Sequence, residues 1–107
     1  INKMNTIALS VIIPVYNEEK NISPFLERLI PVLKEIEESY EVIFALDPSA
    51  DKTEKIISEE INRNPKIKLI VFSRRFGQPA ANMAGILSCT GETCVVIDGD
   101  WVYIGNK

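Results

Sequence analysis

The 107-residue sequence predicts an α/β fold, a Rossmann-like three-layer α/β/α arrangement with a mostly parallel sheet. Three observations predict it. Short apolar runs rich in β-branched residues alternate with amphipathic, helix-spaced stretches; polar turn-forming residues follow each run; and no repeat or low-complexity stretch interrupts the alternation. Connections of this kind are right-handed crossovers, which set the strands parallel and put helices on both faces of the sheet. The length suits one core, so residues 1–107 are expected to form a single domain.

Ala8 to Pro14 (ALSVIIP) is an almost continuous apolar run and predicts a first strand buried on both faces. From Asn21 the period changes. Ile22, Phe25, Leu26, Leu29, Ile30, Leu33 and Ile36 recur at helical spacing, with charged residues opposite, and predict a helix. Pro24 suits its first turn, and Pro31 is expected to bend it. Tyr40 to Leu46 (YEVIFAL) predicts a second strand, followed by the turn-rich DPSAD. Asp51 with Glu54 three residues later has the form of a capping box, opening a helix that Asn64-Pro65 ends. Ile67 to Phe72 (IKLIVF) predicts the third strand. Gly77 and Pro79 introduce a helix of small residues (Ala80, Ala81, Ala84, Gly85), and Thr93 to Ile97 (TCVVI) is the fourth strand, running into Asp98-Gly99-Asp100.

Composition narrows the function. With 46% apolar and 25% charged residues the chain has the balance of a folded globular protein. A net charge of −3, with lysines and arginines scattered, provides no footprint for nucleic acid. Cys89 and Cys94 match neither a zinc knuckle nor a C-x-x-C pair, which predicts two reduced, semi-buried thiols. No apolar run approaches the roughly 20 residues of a membrane span, and no stretch of these residues has the basic start and small-residue cleavage site expected of a signal peptide. The expected setting is therefore cytoplasmic, with room for a membrane anchor beyond Lys107.

Parallel α/β sheets bind ligands beyond the carboxyl ends of their strands, where the strand order reverses. The residues there are Tyr16, Asn17, Glu18 and Glu19, then Asp47 and Asp51, then Arg74 and Arg75, then Asp98 and Asp100. The first loop, PVYNEEKN, lacks the G-x-G-x-x-G of a dinucleotide site, and its carboxylates would repel a diphosphate unless a cation stood between them. Asp98 and Asp100, two apart around a glycine, offer two hard oxygen ligands suited to Mg²⁺ or Mn²⁺, which take remaining ligands from substrate phosphates. Each residue also has a plainer reading. Tyr16 is a half-buried surface aromatic or a platform for a base; Asp47 is a turn residue or an acceptor for a base imide; Arg74 and Arg75 are a solvated pair or a phosphate contact; D-x-D is a solvated turn or a metal site.

Taken together, the segments VIIPVYNEEKNI, FALDPSADKT, SRRFGQPAANMAGI and VVIDGD resemble, in order and over nearly the whole chain, the motifs of family 2 glycosyltransferases of the GT-A fold. Within that family the similarity is to the polyprenyl-phosphate, dolichyl-phosphate-mannosyltransferase-like branch. The resemblance implies a sugar donor of the UDP- or GDP-sugar type, a lipid-phosphate or glycan acceptor and an inverting transfer at the cytoplasmic face of a membrane. It also implies Pro14, Tyr16, Asn17 and Glu18 around the nucleotide, Asp47 near base or ribose, Arg74, Gly77 and Gln78 in a loop over the nucleotide, and Asp98 and Asp100 on the metal. Leu46 and Pro48 depart from the D-D-G-S pattern, and WVYIGNK stands where the branch continues with L-Q-D-P-P-E. The catalytic base is expected beyond Lys107.

Two rivals compete with this reading. A D-x-D after an apolar strand also opens haloacid-dehalogenase-type phosphatases, with Asp98 as nucleophile, although that leaves PVYNEE and FALDPSAD without a task. The other is a non-catalytic nucleotide-binding fragment. In either case a sheet ending at its fourth strand has an unpaired edge and an uncovered face, which predicts self-association into a homodimer.

Overall fold

Seven elements build one sheet with two helices in a computed structural model, which describes residues 7–36, 39–48, 50–73, 86, 88–98 and 101–106. They are β1 (Leu9–Val15), α1 (Ile22–Ile36), β2 (Tyr40–Leu46), α2 (Thr53–Arg63), β3 (Ile67–Val71), β4 (Thr93–Asp98) and β5 (Trp101–Asn106). The sheet order is β3-β2-β1-β4-β5. The first four strands are parallel, with Val11 opposite both Val42 and Val95, and β5 runs antiparallel to β4.

β2 is buried at every position, as a central strand under two covered faces must be. Alternation sorts its side chains. Val42 and Phe44 join Val11, Ile13, Ile22, Leu26, Leu33 and Ile57 in the core beneath α1 and α2. Ile43 joins Ile12, Val96, Cys89 and Cys94 on the opposite face. Most of the predicted small-residue helix over that second face lies outside the described residues, among which Ile86 and Ser88 are helical. Pro31 is carried inside α1, which is one continuous helix from Ile22 to Ile36.

At the amino ends of the strands a buried carboxylate ties four segments together. Glu41, 1% exposed, accepts hydrogen bonds from the Ser10 hydroxyl, from the Thr90 amide (2.7 Å) and hydroxyl (2.9 Å), and from the Lys68 ammonium. Burial pushes its carboxyl up, but these donors together outweigh it and bring the pKa from 4.5 down to about 2. The Gly91 amide donates to Ser10 Oγ at 2.8 Å. A Cβ at Gly91 would lie 2.6 Å from that oxygen and 2.7 Å from the Ser10 amide nitrogen, so glycine is required by close approach.

Three expectations are corrected. The fourth strand is not an edge: β5 pairs along the whole of it, from Thr93↔Asn106 to Asp98↔Trp101, which removes the open β4 edge invoked for a homodimer. The signal was in the sequence, because a β-branched and aromatic run after a Gly-Asp pair has the spacing of a two-residue hairpin. Cys89 and Cys94 are joined as a disulfide instead of standing as two reduced thiols, because the chain reverses through Thr90-Gly91-Glu92 and returns Cys94 to the face that Cys89 occupies. The capping box is not formed as expected: Lys52 takes the N-cap position without a side-chain bond, and the Asp51 carboxylate reaches past it to the Thr53 amide at 3.0 Å.

Candidate functional site at the carboxyl edge

Parallel pairing puts the carboxyl ends of β1 to β4 on one edge. β1 connects through α1 to β2 on one side, whereas its other neighbour is β4, so the strand order reverses between β1 and β4. Registers Val15↔Leu46 and Ile12↔Val96 set the ends nearly level. The Asp47 amide donates to the Val15 carbonyl (3.3 Å), extending the β1–β2 ladder one step and setting Asp47 beside Tyr16. Asp98 ends β4, two residues beyond the partner of Ile12. Tyr16, Asp47 and Asp98 therefore belong to the ends of three adjacent strands. Asp47 is 5% exposed and Tyr16 38%, so the rim presents an aromatic surface beside a largely buried carboxylate. Pro14, in β1, is half-buried just below. Arg74, Gly77, Gln78 and Asp100 lie outside the described residues.

The loop after β1 is shaped by the loop after β2. Asn17 has a left-handed backbone (φ 51°), a conformation asparagine tolerates better than most residues. Its Oδ1 accepts from the Ala50 amide at 3.1 Å, the Glu18 amide donates to Thr53 Oγ1 at 2.8 Å, and the Glu19 amide donates to Asp51 Oδ2 at 3.2 Å. Glu18 in turn accepts from the Asn21 side-chain amide at 2.7 Å. Asn17 and Glu18, expected at the nucleotide, thus also use their side chains to hold the loop. Asp51 and Thr53 were not foreseen in this role. The Thr53 hydroxyl beside Asp51 holds its carboxyl below the usual carboxylate range, against a smaller opposing effect of desolvation.

A cavity of about 190 Å³ adjoins this rim on the α1 side, lined by Ile13, Val15, Ile22 and Phe25 and also by the site candidates Pro14 and Glu18. It is small and mostly apolar, too little by itself for a charged diphosphate, so the polar rim beside it completes the candidate site. Among the described residues no three acidic, histidine or cysteine side chains cluster to hold a metal. Asp98, the last residue of β4, is of a residue type whose carboxylate oxygens suit Mg²⁺ or Mn²⁺. No helix among the described residues is long and apolar enough to cross a membrane.

Known proteins resemble this chain in sequence and fold. The chain is 38% identical over 93 residues to the undecaprenyl-phosphate 4-deoxy-4-formamido-L-arabinose transferase of Proteus mirabilis (strain HI4320), covering 86% of this chain and 28% of that protein. It superposes on the crystal structure of S. aureus TarS 1-349 in complex with UDP-GlcNAc with a TM-score of 0.66 and 27% identity, over 88% of this chain and 27% of that one. The mannosyltransferase PcManGT from Pyrobaculum calidifontis, in complex with GDP-Man and Mn²⁺, shares the fold at a TM-score of 0.67 and 24% identity, over 92% of this chain and 29% of that one. The chain spans under a third of the length of the curated relatives it matches. The phosphatase alternative is not supported, since the match takes in the β1 and β2 ends that it left without a task. Residues 10–106 match Glycosyl transferase family 2, and the chain belongs to that family.

Proposed function

We propose that this chain is the donor-binding part of a glycosyltransferase that moves a sugar from a UDP- or GDP-sugar to a polyprenyl phosphate or another lipid or glycan acceptor. One observation carries the reading: β2, β1 and β4, adjacent in the sheet, deliver Asp47, Tyr16 and Asp98 to one edge at the point where strand order reverses. Tyr16 offers its ring to the base, Asp47 an acceptor for a base imide or ribose hydroxyl, and Pro14, Asn17 and Glu18 the border of the nucleotide. Arg74 and Gln78 are proposed, on the family motif alone, for a loop over the nucleotide. Asp98 and Asp100 would hold Mg²⁺ or Mn²⁺, which when bound supplies charge neutralisation for the departing diphosphate.

The proposed acceptor class is supported by the Proteus mirabilis relative, whose name specifies undecaprenyl phosphate; a polyprenyl phosphate is carried in a membrane, and the proposed setting is the cytoplasmic face of that membrane. The base that deprotonates the acceptor is assigned to no residue of this chain, because every acid named above belongs to the donor side. Calorimetric titration with UDP, GDP and their sugars, with and without Mn²⁺, tests the reading. Binding that requires metal and is lost in Asp98→Asn and Asp100→Asn supports it. Equal binding without metal supports a non-catalytic nucleotide-binding module instead, and no binding of any nucleotide refutes both.

A further inference from the structure

Between Tyr16 and Asn21 the chain makes no strand or helix, yet its shape is fixed by bonds to another loop. Asn17, Glu18 and Glu19, three consecutive residues, each bond to one position of the segment 50–53. Most of these partners are at least partly exposed, where water can replace a hydrogen bond at small cost. Thr53 differs: its relative exposure is 0%. Its hydroxyl donates to Asp51 Oδ1, which leaves an oxygen lone pair for the Glu18 amide, and Asp51 uses its other oxygen to accept from the Glu19 amide. A single buried hydroxyl therefore accepts directly from the first loop, and its donated bond fixes the Asp51 carboxylate that accepts from the next residue of that loop. The left-handed Asn17 lies immediately before these bonds, and its own side chain accepts from Ala50 of the same segment.

We infer that Thr53, anchored by Asp51, is a positioning residue for the donor site: its hydroxyl holds the loop of Tyr16 to Glu19 in the shape that receives the nucleotide. The inference rests on the donor-site reading above and deepens it. Valine is close in shape to threonine but can neither accept from Glu18 nor donate to Asp51, whereas serine retains both functions. Without the hydroxyl the loop samples other shapes, and nucleotide must select the competent one, which lowers apparent affinity by the fraction that remains competent.

The test measures nucleotide affinity with Mn²⁺ at low temperature, where each variant is folded, together with amide hydrogen exchange, for Thr53→Val, Thr53→Ser and Asp51→Ala. Thr53→Val is expected to weaken the nucleotide that the wild-type chain binds by about tenfold, near the equivalent of one lost hydrogen bond. Faster exchange at the Glu18 amide should accompany it, and Thr53→Ser should restore both. Asp51→Ala, at a partly exposed position, should weaken affinity in the same direction and covers the case in which Thr53→Val fails to fold. If the wild type binds and both Thr53→Val and Asp51→Ala bind equally well while melting at lower temperature, Thr53 is merely structural and the inference is overturned. If the wild type binds no nucleotide, the donor-site reading fails and takes the inference with it.

Discussion

Replacing Glu41 with glutamine removes the charge at the centre of the amino-edge network while nearly preserving shape. The carboxyl titrates at about 2 in the folded chain against 4.5 for an ordinary glutamate, so the folded state favours the ionised form. At about 1.4 kcal/mol per pH unit, this difference contributes on the order of 3 kcal/mol at neutral pH. Because the folded pKa is the lower one, the contribution is complete above about 4.5 and is lost as pH falls through about 2. By pH 3, about 2 kcal/mol of it should be gone. Thermal or urea unfolding of wild type and Glu41→Gln at pH 7 and pH 3 reads both numbers. The variant should be less stable by about 3 kcal/mol at pH 7, roughly 10–20 °C for a domain of this size, and the gap should narrow at pH 3. A gap below about 1 kcal/mol, or one equal at both pH values, would refute the argument that this carboxylate is stabilised as an ion by Lys68, Ser10 and Thr90.

Other substitutions follow from the same geometry. Gly91→Ala puts a methyl group 2.6 Å from Ser10 Oγ and 2.7 Å from its backbone nitrogen; it should cost about 1–3 kcal/mol in urea unfolding, as overpacking does. Tyr16→Ala should weaken nucleotide binding by roughly tenfold or more, the usual worth of stacking a base on a ring, whereas Tyr16→Phe should bind within about twofold of wild type. Ser23 donates to Glu60 at 2.6 Å across the α1–α2 contact. Ser23→Ala should cost about 1 kcal/mol of stability by thermal melting and leave nucleotide affinity unchanged.

Much of the sheet was legible because central parallel strands are apolar without interruption. YEVIFAL bounds β2 as it stands in the structure, and ALSVIIP misses β1 by a single residue at each end. β5 is not legible from D-G-D alone, because that segment admits two readings: a pair of metal-binding carboxylates, or the two-residue spacing of a hairpin that joins VVID to WVYI. Asp51 was assigned to a local cap, yet it serves Glu19 across 32 residues, and Thr53 serves Glu18 across 35. No periodicity reports such partners, which depend on which loops the sheet order makes neighbours. The strand-end rule had already placed Tyr16, Asp47 and Asp98 on the same rim, since parallel strands carry their carboxyl ends to one side whatever the strand order.

The central claim is that nucleotide and metal meet at that rim, and Mn²⁺ itself can report its position. In the chain loaded with nucleotide, paramagnetic Mn²⁺ should broaden the amide resonances of Tyr16, Asn17, Asp47 and Ala50 at the carboxyl edge. Those of Ser10, Glu41 and Thr90 at the opposite edge should stay sharp. Broadening centred on the amino edge, or spread evenly over the chain, would contradict the account.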